Sequence, residues 1–323
     1  MSTAYLLTGV TGGLGAKILD SMLNTHHTPP SSIIATSRSP SKASHFTNLG
    51  VQFRVADYND PSNLLTAFHA VENLLFISSS TRDNATRNRE HLNVINTAKE
   101  ARVGRVGYVS LAFGGFGDGS QIGFQQAHYE TENLLKQSGL DFVSVRAGIY
   151  TDAFPLFLNW YPSTEAVLLP KVTPSVSDSR VAWTSRDELG EGMATLLAKG
   201  FEAFPSIQPK TEKNTVLLTS EETESLVDLV HAVNRACGTE MPVKIMEPEE
   251  WIDACAKDDE GGKPRAWFEA RLVFAQGVCD GDAAVTDAAL ATLLGREPET
   301  GRQTVERLLS AEPGYTWHQN HMR

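Results

Sequence analysis

The segment Gly9-Val10-Thr11-Gly12-Gly13-Leu14-Gly15 narrows the folds open to this chain more than any other. It closes an apolar run at residues 4–10 that reads as a strand. It leads into Leu14, Ile18, Leu19, Met22 and Leu23, which recur at helical spacing. Glycine reaches φ > 0 at little steric cost and lets another group come against bare backbone. The N-terminus of the following helix offers free N–H groups and the positive end of its dipole to an anion. Gly9, Thr11, Gly12, Gly13, Leu14 and Gly15 are therefore read as a phosphate-holding loop, against the competing reading of an ordinary tight turn.

The alternation begun here continues. Residues 32–38 and 73–79 are apolar strand runs, and Val51, Phe53 and Val55 alternate with polar residues as a third strand. Asp60-Pro61 marks a helix start, an acidic N-cap before a proline at the first helical position. Leu64, Leu65 and Phe68 are expected on one face of that helix. A helix over residues 82–101 should turn Leu92, Ile95 and Ala98 inward. Strands at 106–111 and 141–146 enclose a helix at 124–138. Such alternation predicts an α/β fold, a Rossmann-like doubly wound parallel sheet covered on both faces. After Tyr150 the pattern loosens at Pro155, Pro162, Pro170 and Pro174. Helices are expected at 187–199 and 221–237, the latter opened by a Thr219-x-x-Glu222 capping box. Short strands are expected at Thr215–Leu218 and Val243–Met246, and a polar loop at 257–263. We divide the chain into a dinucleotide-binding domain at 1–150 and a smaller mixed α/β C-terminal domain at 151–323, leaving open a return of the chain to the sheet.

The end of the second strand discriminates between nicotinamide cofactors. An acid there suits a free ribose 2′-hydroxyl, whereas an arginine suits a 2′-phosphate. The sequence reads Thr36-Ser37-Arg38-Ser39 with Lys42 close behind, and the next carboxylate is Asp57. Arg38 and Lys42 therefore favour NADPH/NADP+, with a solvated surface arginine as the alternative. Asp57 is expected near the adenine, and Ser78, Ser79 and Ser80 beside the ribose, although a serine run can equally form a turn.

Taken together, the stretches TGVTGGLG, ADYND, LLFISSS, HLNVINTAKEARVGRVGYVSL, HYETENLLKQSGLDFVSVRAGIYTDAF and TSRDELGEGMATLLAKG resemble the NmrA-like atypical short-chain dehydrogenases, in particular the type-2 quinone reductases. The resemblance implies NADPH binding and a substrate cleft between two domains. Relatives with the usual Tyr-x-x-x-Lys pair can be aligned by counting back from Gly139-Leu140. That places Phe124 at the tyrosine, His128 at the lysine and Glu132 at a glutamate that often follows. The phenol that usually moves the proton is then a phenyl group. Tyr129 points about 100° away on a helix and is a poor substitute. Ser110 falls where relatives place a substrate-binding serine. His128 can hydrogen-bond the nicotinamide ribose and relay a proton, or it can pack and orient the cofactor. Tyr150 is a further candidate contact, or a hinge aromatic.

Composition limits the remaining classes. There are 39 acidic against 28 basic residues, net charge −11, and no basic block, so nucleic acid is not an expected partner. Cys237, Cys255 and Cys279 have no metal-ligand spacing, and no metal is expected. The first residues lack a leader or membrane span, which leads us to expect a cytoplasmic protein. A small-molecule substrate and, as an open option, homodimerisation complete the expectation. Its leading form is hydride transfer from NADPH to a quinone-like or conjugated carbonyl acceptor. The alternatives are a redox-sensing regulator without turnover, or a tailoring reductase or isomerase.

Overall fold

In the computed structural model, which describes residues 5–257 and 259–321, the alternation becomes a seven-stranded parallel sheet. Its first six strands are β1 (Tyr5–Leu7), β2 (Ile33–Ser37), β3 (Gln52–Val55), β4 (Asn73–Ile77), β5 (Arg105–Leu111) and β6 (Phe142–Ala147). The later strands are β7 (Ile149–Tyr150), β8 (Val167–Pro170), β9 (Trp183–Thr184), β10 (Thr215–Leu218) and β11 (Val243–Met246). The sheet order is β10-β6-β5-β4-β1-β2-β3, so β10 brings the chain back to the sheet edge. Strand β1 pairs with β2 on one side and β4 on the other, Leu7 lying opposite Ala35 and Leu75. The winding reverses between β1 and β4, and a crevice opens beyond the carboxyl ends of the strands at such a point. Ala4, the first residue of the expected strand, lies outside the described residues.

The helices are α1 (Gly13–Asn24), α2 (Ala43–Thr47), α3 (Pro61–Ala67), α4 (Asn84–Glu100), α5 (Gly123–Ser138) and α6 (Phe154–Leu158). They continue with α7 (Arg186–Lys199), α8 (Leu226–Cys237), α9 (Pro248–Ala256), α10 (Arg265–Cys279), α11 (Ala289–Leu294) and α12 (Gly301–Ala311). Neighbouring strand residues face opposite ways, so Leu7 joins the core beneath α1, α7 and α11, while Leu6 joins the core beneath α3, α4 and α5. A third core, built from α6, β8, α8, α10 and α12, fills the C-terminal region. Among the described residues no helix is long and apolar enough to cross a membrane.

Three local expectations are corrected. Leu92 is 40% exposed, and the inward face of α4 carries Arg87, His91, Val94, Ile95 and Ala98. A face chosen by apolar residues alone overlooked buried polar side chains, Arg87, Glu90, His91 and Thr97, that the interior needs. Leu65 likewise points outward, while Leu64, Ala67 and Phe68 are buried. Helix α8 begins at Leu226, not at 221. Its capping box is Ser225 with Asp228, each side chain bonding the other's backbone N–H. The hydroxyl of Thr219 instead accepts the backbone N–H of Asp287 at 3.0 Å.

Candidate functional site

The carboxyl ends of β1 to β4 surround a groove of about 600 Å³, within the usual size of small-molecule and cofactor sites. Gly9, Thr11, Gly12, Arg38, Asp57, Ser78, Ser79 and Ser80 line it together. Segments separated by up to 71 positions thus meet because four parallel strands end at one edge.

The glycines of the loop divide the task. Gly9 has φ +67°, the left-handed conformation that favours glycine. Gly12 is extended at φ −94° and caps α1, so positive φ belongs to Gly9 and not to Gly12. Gly15 lies in the first turn of α1, where a Cβ would stand 2.7 Å from the Gly9 carbonyl carbon and 2.9 Å from Val10 Cα. Leu14 points into the core beneath the loop. Gly13 is covered by Arg186, whose Cζ would be 2.7 Å from a Cβ there.

That guanidinium, from the start of α7, lies over the glycine loop, a contact that sequence reading missed. Its Nη2 lies 3.3 Å from Asp152 Oδ1, the Trp317 ring centroid is 4.8 Å from its Cζ, and its Nε is buried without a partner. The residue is more than 170 positions from the glycine loop, and no local pattern connects the two.

The floor of the groove is pinned by hydrogen bonds. Thr8 Oγ1 donates to the Leu75 carbonyl and accepts the Ile77 N–H, tying β1 to β4. The Tyr58 hydroxyl lies 2.7 Å from Thr8 Oγ1 and 2.9 Å from the Ile77 carbonyl. The hydroxyl of Ser79 donates to Glu90, which also accepts from Asn59 Nδ2 at 2.7 Å. The Ser79 backbone N–H donates to His91 Nε2 at 2.9 Å, so the proton of His91 resides on Nδ1, 2.7 Å from Thr131 Oγ1. Thr131 passes its own proton to the Ala127 carbonyl. Burial, aided by the charge of Arg87, lowers the pKa of His91 to about 3 and keeps it neutral. Arg38 stands exposed at the groove without an acidic partner among the described residues. Lys42 is exposed on the neighbouring turn and does not line the groove.

His128, Ser110 and Tyr150 stand apart from this lining. Residues 128 and 132 are four apart on α5, and Tyr108 and Ser110 are two apart on β5. The helical rise of about 6 Å nearly matches the strand rise of about 6.6 Å. His128 Nδ1 therefore meets the Tyr108 hydroxyl at 2.7 Å, and Glu132 Oε1 meets Ser110 Oγ at 2.8 Å. His128 is buried, and its pKa is pushed well below the usual histidine range, by burial first and then by Arg87, His91 and Arg146. Ser110 is fully buried and gives its proton to Glu132. Tyr150 is half-buried, and its hydroxyl has no hydrogen-bond partner among the described residues. Burial raises its pKa to about 12 despite the nearby Arg186. Phe124, at the counted tyrosine position, packs edge-on against Phe113 at 5.3 Å.

Behind Ser110 lies a buried ion pair that sequence reading also missed. Arg146 on β6 places all five of its N–H donors. Nε and Nη2 bond Glu132, Nη1 bonds the carbonyls of Gly115 and Gly117, and Nη2 also bonds Asp118. Burial opposes the charge, but the bonds to Glu132 outweigh it and raise the pKa of Arg146. Ser144 joins Ser110 on Glu132 Oε1. This network fixes α5 and the loop before it against the sheet.

The comparisons with known proteins agree with this geometry. The NAD(P)H-binding family model matches residues 9–197. An NmrA-like family domain-containing oxidoreductase of Aspergillus flavus is 41% identical over 317 residues, 98% of each chain. Quinone oxidoreductase 2 of Escherichia coli is 34% identical over 194 residues, 60% of this chain and 63% of that one. Triphenylmethane reductase of Citrobacter sp., solved with NADP(H), superposes with a TM-score of 0.80 at 26% identity, covering 94% of this chain and 99% of the other. A crevice at the strand-order reversal, a left-handed Gly9 and a helix N-terminus aimed into the site suit a dinucleotide, and this chain belongs to the NAD(P)H-binding family, among the NmrA-like oxidoreductases.

Proposed function

We propose that the protein is an NADPH-dependent reductase of quinone-like or conjugated carbonyl acceptors. The observation that carries this reading is the pairing of the dinucleotide groove with Phe124 and a neutral, buried His128, an arrangement without the usual phenol donor. When bound, the reduced nicotinamide supplies a hydride. In the groove, Gly9, Thr11, Gly12 and the N-terminus of α1 hold the diphosphate, with Arg186 at its edge. Arg38 holds the 2′-phosphate, Asp57 stands beside the adenine, and Ser78, Ser79 and Ser80 flank the ribose. His128 acts as a fixed hydrogen-bond donor toward the nicotinamide ribose. Its depressed pKa makes it a poor charged acid at neutral pH. Tyr150, with its hydroxyl uncommitted, contacts the acceptor. Ser110 pins α5 through Glu132. A quinone taking up a hydride gains two electrons and becomes an oxyanion that water can protonate, so a bound acid is not required.

The reading is tested by following the loss of NADPH absorbance with a panel of quinones. Turnover above the uncatalysed background supports it. NADPH binding without turnover, together with a ligand-dependent change in size or partners, would favour a cofactor sensor instead.

Two substitutions test the residue roles. Arg38→Glu is expected to weaken NADPH binding about 10- to 100-fold and to leave NADH binding nearly unchanged, because a charge-assisted pair with the 2′-phosphate becomes a repulsion. Equal loss for both cofactors would remove Arg38 as the discriminator. His128→Ala should weaken NADPH binding about tenfold through the lost hydrogen bond, with a smaller change in kcat. In the unsubstituted protein kcat should show no histidine ionisation between about pH 5 and 8. A kcat loss of about 10²–10⁴ at unchanged affinity would instead make His128 the proton relay.

A further inference from the structure

In the C-terminal region one guanidinium has no anion to meet it among the described residues. Arg271, on α10, borders a cavity of about 30 Å³ together with Phe157, Trp251, Phe274, Leu169 and Pro170. That is room for the two oxygens of a carboxylate, on the measure by which one water needs about 10–15 Å³. Its Cζ lies 4.0 Å from the Phe274 ring centroid, 5.2 Å from that of Phe157 and 5.3 Å from that of Trp267. Phe157 and Phe274 are stacked at 5.2 Å. Among the described residues Arg271 has neither a salt bridge nor a hydrogen bond. Arg146, by contrast, places its guanidinium on Glu132, Asp118 and two carbonyls. Arg271 is half-buried, its guanidinium flanked by aromatic faces, and burial draws its pKa down to about 9, so the group stays charged at neutral pH. The same aromatic wall continues to Phe113 at 5.5 Å and Phe124 at 6.5 Å from Phe274.

We propose that the acceptor carries a carboxylate that pairs with Arg271, its flat apolar body lying along Phe157, Phe274 and Phe124. This rests on the reading of Phe124 as the residue at the reacting end of an acceptor site. A guanidinium forms parallel N–H···O bonds to a carboxylate, and beside aromatic faces such a pair discriminates against a neutral isostere.

The test separates binding from turnover. 2-Naphthoate and its neutral analogue 2-naphthamide are titrated into the NADP+-loaded protein, following the fluorescence of Trp251 and Trp267. Naphthoate is expected to bind at least about tenfold more tightly than the amide, and Arg271→Met should erase that difference. Arg271→Met should keep or raise the melting temperature, because it removes a charge that no neighbour pairs. Should that variant fail to fold, Arg271→Lys is expected to retain only part of the preference, and the acid–amide contrast in the unsubstituted protein stands by itself. Equal affinity for acid and amide, or a preference that survives in Arg271→Met, would overturn the proposal. Kinetics then use a naphthoquinone bearing a carboxymethyl arm against its methyl ester. A lower KM for the acid in the unsubstituted protein only is the expected result, and equal KM values would overturn it. Selective naphthoate binding with no turnover of any quinone would refute the quinone-reductase reading while upholding the anion site.

Discussion

Arg146→Met is expected to lower the unfolding free energy by about 3–5 kcal/mol, because it leaves the buried carboxyl of Glu132 without its cationic partner. The carboxylate would keep only the hydroxyls of Ser110 and Ser144, and the carbonyls of Gly115 and Gly117 would lose their donor. The loss should read as a fall in melting temperature on the order of 10 °C. Pairing the change with Glu132→Leu should recover much of the stability, since the cost of breaking a buried pair exceeds the net worth of keeping it. A single substitution that shifts the melting temperature by less than about 2 °C would mean that the network is dispensable. Because the same bonds fix α5, the folded fraction of Arg146→Met should also bind NADPH less tightly through displacement of His128.

Gly15→Ala should destabilise the protein by about 1–3 kcal/mol and weaken NADPH binding at least about tenfold. The sign is diagnostic. Replacing glycine by alanine within a helix ordinarily stabilises it by up to about 1 kcal/mol. Here the added Cβ meets the Gly9 carbonyl and Val10 Cα, backbone atoms that can yield only if the loop opens. Gly123→Ala is the control, at the first position of α5 with nothing within 4 Å of a Cβ. It should change stability by less than about 0.5 kcal/mol. A stabilised Gly15→Ala that titrates normally with NADPH would show that the loop does not need the close approach of helix and turn.

The lining of the groove was legible because its signals are local. The Gly9–Gly15 loop, Arg38 at the end of β2 and the serines at the end of β4 sit at strand ends, and a parallel sheet gathers such ends along one edge. The same logic found α3 through Asp60, whose side chain does accept the Asn63 N–H. It misjudged α4, where the buried face is set by His91 bonding Ser79 and Thr131, contacts with no trace in an apolar periodicity. Lys263 and Asp259 make a similar case. They stand in a segment read as a polar loop, yet both are buried and paired at 3.1 Å, with Lys263 also on the Tyr161 hydroxyl.

Residue order by itself determined the parallel α/β sheet, the glycine turn at its first crossover and the basic residue that lines the groove at the end of β2, because each depends on spacing within a few residues of a strand end. Only the tertiary structure decided that Arg186 would cover Gly13, that Arg146 and Glu132 would lock α5, that His128 would be neutral against Tyr108, and that Arg271 would lack an anion among the described residues. Each of these depends on burial and on partners distant in the chain. A side chain's charge state and free valences are set by what packs around it, and sequence spacing carries no record of that.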